Sequence, residues 1–306
     1  MKVGPTLRLT SRFSLWVGRP CLGTYKLVRV MNAKNHAAIP VIGELLLIIS
    51  AVAGSALVAG SALVGADLQV GPQRAGATPE PPSNEEFVPL FNGRNFSGWK
   101  VPAGDNGHWR VIGGVIDYDA ESEAAGDKSL WTERQFGNFV LRVDWRIKST
   151  PYTNYSVPII RWDGTDKKDA AGREIQIAVP DSDSGIFLRG SSKSQVNIWC
   201  WPIGSGEVYG YRTDASTPAA VRAEVTPKRN ADRDIGAWNT FEITMRGDRL
   251  SVVLNGEPVI VRAQLPGVPA RGPIALQHHG EKKNGEWVAP PSLVQFRNIA
   301  IKELPQ

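Results

Sequence analysis

Two cysteines in 306 residues leave little room for disulfide chemistry. Cys21 falls in a leader segment and Cys200 is the only thiol after it, which excludes a small disulfide-stapled scaffold. Flanked by Trp199 and Trp201, Cys200 reads as a small buried apolar residue rather than a nucleophile. Long basic runs are missing as well. The formal charge of +5 resides in the leader: seven Lys and Arg precede residue 67 and Glu44 is the only acid there. From Asp67 onward 28 basic residues face 29 acidic ones, so the phosphate-neutralising force behind nucleic-acid binding has little to act with, and no nucleic-acid partner is expected. Helical periodicity is the third absence. After Phe87 no stretch sustains the i, i+3, i+4 apolar pattern for three turns, and no internal repeat is visible.

What is present begins with a charge-free run of 22 residues, Leu45 to Ala66, ending in the small residues Val64-Gly65-Ala66. Residues 1–66 read as an export signal, with Met31 a second candidate start that gives a normal basic region containing Lys34. The run 45–66 is also long enough to span a bilayer, so an uncleaved membrane tether is the alternative. Either reading places the rest of the chain outside the cytoplasm, in the periplasm or beyond. Residues 67–86, with Pro79, Pro81 and Pro82 and few large apolar side chains, read as a flexible linker.

The remaining 87–304 is a pattern of short strands. Phe139, Leu141, Val143, Trp145 and Ile147 alternate with polar or smaller residues, as a strand with one buried face requires. Phe241-Glu242-Ile243-Thr244-Met245 repeats the pattern, and Leu250 to Leu254 runs into Asn255-Gly256, a strong hairpin signal. Strands also fit 274–277 and 294–301. Many short strands between Gly, Pro and Asn turns imply an all-β sandwich of antiparallel sheets in one large domain.

Several phrases then fall in a telling order: Phe91-Asn92-Gly93 to Gly98-Trp99, Leu130-Trp131-Thr132, Ser184-Gly185-Ile186-Phe187-Leu188-Arg189-Gly190, Gly236-Ala237-Trp238-Asn239, Leu254-Asn255-Gly256, Leu276-Gln277-His278-His279-Gly280 and Val294-Gln295-Phe296-Arg297-Asn298. Over nearly all of 87–304 the chain resembles the 3-keto-disaccharide hydrolase domain family, formerly a domain of unknown function. The resemblance implies a concanavalin-like (lectin/glucanase) jelly-roll β-sandwich of two curved antiparallel sheets. It also implies export, and action on glycosides whose glucose ring is oxidised at C3.

A ketone at C3 acidifies the C2 proton. One base can remove that proton, the C1 aglycone leaves by elimination, and water adds to the enone. This needs a base, an enolate partner and an acid rather than the paired carboxylates of ordinary glycosidases. His279 and Glu207 are the candidate bases, and Arg189, Gln195 and Tyr209 the candidate enolate or hydroxyl partners. Tyr209 falls in a Gly-Glu-Val-Tyr-Gly run similar to the family's Gly-Ala-Leu-Tyr-Gly, from which Glu207 departs. Gln195, Asn197, Trp199 and Trp201 share strand parity and are expected on one groove face, with Tyr209, Tyr211 and Gln277 completing the sugar contacts. Adjacent His278 and His279 point to opposite faces of a strand, so no metal-ligand spacing is visible. A divalent metal would need Glu207, Asp181 or Asp183 brought in by folding, and no cofactor is otherwise expected. The alternative to catalysis is a carbohydrate-binding, lectin-like module.

Overall fold

The computed structural model describes residues 86–305. The leader expected over 1–66 and all but the last residue of the linker expected over 67–86 lie outside the described residues.

Short strands β1 (Val88–Pro89) and β2 (Trp99–Lys100) open the described chain, followed by the hairpin of β3 (Trp109–Ile112) and β4 (Val115–Tyr118). Next come β5 (Leu130–Thr132) and the long β6 (Phe139–Ile147). β7 (Tyr152–Pro158) and β8 (Gln176–Asp181) pair only with each other, as an arm. β9 (Ser184–Leu188) and β10 (Ser191–Ile198) form a hairpin. Two short helices, α1 (Tyr209–Arg212) and α2 (Ala219–Glu224), precede β11 (Asn239–Arg246), β12 (Arg249–Leu254) and β13 (Glu257–Gln264). The chain closes with β14 (Ala275–Leu276), the small hairpin of β15 (Glu281–Lys283) and β16 (Glu286–Ala289), and β17 (Val294–Glu303).

These strands make an antiparallel jelly-roll sandwich, as the sequence leads one to expect. The larger sheet runs β13-β12-β11-β6-β17-β4-β3, with β1 on β17; the smaller runs β10-β9-β14-β5-β2. Alternation decides which residues meet between them. Phe139, Leu141, Val143, Trp145 and Ile147 of β6 are all at most 3% exposed, and Phe241, Ile243 and Met245 of β11 are fully buried. From the smaller sheet Leu130, Ile186, Leu188, Val196, Ile198 and Leu276 face them in one apolar cluster. Each such side chain removed from water contributes about 1.5–3 kcal/mol, which is why the pattern specifies the layers so firmly.

Two local devices adjust the pattern. Asn255 (φ +54°) and Gly256 (φ +86°) form the tight hairpin turn between β12 and β13 that their sequence announces. In β17 the buried residues run Val294, Phe296, then Ile299 and Ile301, a break in period two. The register with β6 slips between Arg297 and Ala300, and Asn298 takes φ +51°, so the extra residue is absorbed as a bulge and both halves keep their apolar face inward.

Candidate functional site

The smaller sheet has a second face, turned away from the core. On β9 this parity belongs to Gly185 and Phe187. Opposite them on β10 lie Asn197 and Gln195, and opposite Phe187 on β14 lies Ala275. One residue beyond β14, Gln277 donates its backbone N–H to the Gly185 carbonyl, so it continues the same row. The side chain of Gln195 donates Nε2–H to Oε1 of Gln277 and also reaches the Ser184 carbonyl at 3.2 Å. Gly185 makes this possible: a Cβ there would come within 2.4 Å of Gln195 Nε2. Farther along the face, Phe187 and the half-buried Trp131 lie with ring centroids 5.7 Å apart, Trp131 held through Nε1 by Asp127.

Beyond Gly185 and Gln277 the segment 291–292 links the two strands: Asp183 donates its N–H to the Pro291 carbonyl and Ser292 donates its N–H to the His279 carbonyl. Ser292 Oγ accepts from the His279 N–H at 2.6 Å and sits 2.7 Å from the Asp183 carbonyl, to which it donates. The His279 ring pairs Nδ1 with the Pro290 carbonyl at 2.6 Å. A carbonyl only accepts, so Nδ1 carries the hydrogen and the neutral ring keeps a lone pair on Nε2, which has no hydrogen-bond partner. Asp183 Oδ1 is shut off from solvent with no partner. Burial pushes its carboxyl up to about 7, against the downward pull His279 exerts when protonated and with a smaller upward push from Asp181. An open imidazole nitrogen and a carboxyl that holds its proton near neutrality thus stand at one end of a row of amides. That arrangement can take one proton and give another. The amide of Asn197, 3% exposed and without a side-chain hydrogen bond, and the free Nε2 of Gln277 are donors aimed at nothing in the protein.

His278 takes the opposite side, as expected of adjacent strand residues. Its Nδ1 meets the hydroxyl of the buried Tyr118 at 2.8 Å. Burial first, then Lys128 and His279, hold the His278 ring down to about 4, so it is a neutral structural histidine.

The aromatic cluster differs from its expected form. β10 ends at Ile198, so Trp199 and Trp201 do not extend the face of Gln195 and Asn197. They stack on each other at 4.1 Å beyond the strand, with Tyr209 edge-on to both. Trp199 is buried and spends its Nε1–H on the Gly204 carbonyl. Trp201 is half-buried and donates to Asp181 Oδ2, while Tyr209 is 44% exposed. Those two are the accessible part of the cluster, and Trp201 is held in place by Asp181. Tyr209 and Tyr211 lie on helix α1 rather than in a strand, and Tyr211 is buried with its hydroxyl on the Pro266 carbonyl, which removes it from the sugar contacts.

Two of the three expected catalytic residues take structural posts. Arg189 is 2% exposed with φ +52° at the turn between β9 and β10. Its guanidinium donates to the carbonyls of Gly137, Gly247 and Pro269 and to Asn138 Oδ1, so four of its five hydrogens tie loops together and burial keeps the group from an enolate. Glu207 is fully buried, with Oε1 2.6 Å from Arg212 Nε and Oε2 without a partner. Burial pushes it up to about 7 although Arg212 pulls the other way. Arg212 in turn holds Asp166 of the segment joining β7 to β8, so Glu207 anchors that segment to α1 and cannot meet a substrate. Nor does it join a metal site. Among the described residues no three His, Cys, Asp or Glu come together to hold an ion, and Asp181 is engaged by Asn154, Trp201 and the Cys200 N–H.

In the sequence Asp183 stands out only as a possible metal ligand, and Trp131 only as part of a strand motif. The signal for Asp183 was its place two residues before Gly185, on the same parity.

Residues 86–302 match the family described as a 3-keto-alpha-glucoside-1,2-lyase-like domain. Among solved structures, the chain is similar to two proposed glycosyl hydrolases from Parabacteroides distasonis. One is 21% identical with a TM-score of 0.45, covering 71% of this chain and 84% of that one. The other is 17% identical with a TM-score of 0.46, covering 72% and 95%. The carbohydrate-binding module CBM66 from Bacillus subtilis is 14% identical with a TM-score of 0.34, covering 67% and 96%. No curated protein matches the sequence.

Proposed function

This chain belongs to the 3-keto-alpha-glucoside-1,2-lyase-like domain family, and from that premise we propose that it is an exported enzyme cleaving 3-keto-glycosides, 3-keto-disaccharides among them. The observation that carries the reading is the pairing of His279, whose Nε2 is open, with Asp183, whose carboxyl is pushed up to about 7. His279 Nε2 removes the C2 proton of the 3-keto sugar, and the C2–H electrons become the enolate of C2 and C3. Free amide hydrogens of Gln277 and Asn197 receive the enolate oxygen. As the C3 ketone re-forms, the C1=C2 double bond appears, the bond from C1 to the aglycone oxygen breaks, and Asp183 protonates the departing oxygen. Water then adds across the enone, its oxygen to C1 and a proton to C2, which completes a net hydrolysis. Trp201 and Tyr209 offer apolar faces to the rest of the ligand.

A second reading keeps the sugar but not the turnover: the amide row and the Trp201–Tyr209 surface also suit a carbohydrate-binding module. One experiment separates them. Purified protein is incubated in D₂O with a 3-keto-α-glucoside, and aglycone release and deuterium at C2 are followed together. Release with C2 exchange supports the enzyme. Sugar binding with neither release nor exchange assigns the chain to the binding reading.

A further inference from the structure

On the outward face of the larger sheet most arginines have partners. Arg142 pairs with Glu242 at 2.8 Å, Arg146 with Gln295 at 2.7 Å, and Arg297 with Asp144 at 3.3 Å. The end of that face formed by β11, β12 and β13 is different. There a groove of about 130 Å³ is lined by Thr244, Arg246, Arg249, Ser251 and Arg262. Arg246 and Arg249 stand directly opposite each other across the β11–β12 hairpin, an arrangement that like charges disfavour. Among the described residues the guanidiniums of Arg246 and Arg262 have no carboxylate or other side-chain partner, the bonds of Arg262 being made by its backbone. Arg249 donates Nη1–H to the Arg262 carbonyl at 3.3 Å and meets carboxylates only at a distance, Asp248 at 3.7 Å and Glu224 at 3.8 Å, both of which also serve Gln264.

The third arginine is placed by strain. Between Leu250 and Val252 the pairing of β12 with β13 slips, and Arg262 occupies the irregularity at φ +51°. Its backbone N–H donates to Ser251 Oγ at 2.9 Å, which leaves the Ser251 hydroxyl hydrogen free to point elsewhere. Thr244, opposite Ser251 in the register, adds a second hydroxyl without a partner among the described residues. Every polar side chain lining the groove can therefore donate a hydrogen bond, and none is an acid.

We propose that this groove is an oxyanion site that takes the sulfate or phosphate group of a soluble ligand. Three guanidiniums and two hydroxyls exceed what the two oxygens of a planar carboxylate accept well, and they suit a group with three or four acceptor oxygens. The recessed shape favours a single small group over a flat lipid surface. The site is independent of the sugar-cleaving row, which lies on the other sheet.

The test is calorimetric titration of the intact chain at low ionic strength with inorganic sulfate, inorganic phosphate and glucose 6-phosphate. Arg246→Ala and Arg262→Ala are each expected to weaken binding about tenfold, the loss of one charge-assisted hydrogen-bond set. Arg134→Ala removes an equal charge at an exposed position elsewhere and is expected to leave binding unchanged. Equal weakening by all three variants, or no binding of any soluble oxyanion, overturns the proposal. So does pelleting with phosphatidylglycerol vesicles when none of the soluble ions binds.

Discussion

The side-chain amide of Gln195 donates to that of Gln277 across the strand between them, above the bare Cα of Gly185. Because Gln277 Oε1 is the acceptor, its Nε2 hydrogens are left for something outside the protein. Gly185→Ala puts a methyl 2.4 Å from Gln195 Nε2 and 2.7 Å from its Cγ, so the amide pair must move. The backbone there needs no positive φ, and the cost in stability should stay at about 1–3 kcal/mol. The expected outcome is a folded protein with a raised KM for a 3-keto-glucoside. A wild-type KM in a folded Gly185→Ala protein would remove the amide pair from the site.

His279→Gln keeps a polar side chain near Pro290 but removes the nitrogen proposed to take the C2 proton. Turnover should fall by roughly 10²–10⁴-fold, the usual contribution of a general base, with thermal stability nearly unchanged. Deuterium incorporation at C2 is the direct readout, and undiminished exchange would point to another base.

Asp183→Asn tests the acid separately. The carboxyl holds its proton up to about pH 7, so activity that needs leaving-group protonation should decline as the pH rises above that point. In the variant the loss should be large for alkyl aglycones and small for nitrophenyl aglycones, which depart without a proton. An equal loss for both classes places Asp183 in structure rather than in chemistry.

Arg189→Ala should act on stability alone. It strips charged hydrogen bonds from three buried or part-buried carbonyls and from Asn138, worth about 3 kcal/mol or more in total. Urea unfolding should show the loss, while kcat/KM per folded molecule stays the same. Should the variant fail to fold, Arg189→Lys serves, with a smaller loss in the same direction.

The buried carboxyls also set a pH dependence of stability. Glu207 and Asp183 are pushed up to about 7 and Asp232 to about 6, so the folded state binds more protons than the unfolded state between their ordinary values and these. Stability therefore falls as pH rises from about 4 to 7 on their account. His278, held down to about 4, works the other way: its contribution is lost as pH falls from about 6.5 to 4. Burial also raises Asp181, so with four groups against one thermal melting should rise as pH is lowered from 7.5 toward 5. Glu207→Gln should flatten that slope, and an unchanged slope would mean that Glu207 does not take up a proton on folding.

Much of the fold was legible because burial imposes a period. In β6 and β11 every second residue is apolar, and those residues are the ones between the sheets. Asn255-Gly256 announced its turn because few other residues tolerate two successive positive φ angles. The same parity argument correctly put Gln195 and Asn197 on one face. It failed at Trp199 and Trp201 because nothing in the alternation marks the end of β10 at Ile198.

The sequence by itself determined the all-β class, the identity of the core residues and the shared family motifs, since each of these is written in neighbouring residues. Which polar residues act was decided by the tertiary structure. Arg189 and Glu207 look like chemistry in the sequence and are buried ties in the fold, because burial and partners are set by residues distant in the chain. Asp183 gained its raised proton affinity the same way, from a closed environment that local sequence does not encode. Only the pairing of β9 with both β10 and β14 brought Gln195 and Gln277 together, and only Ser292, distant in the chain from Asp183, linked His279 to it.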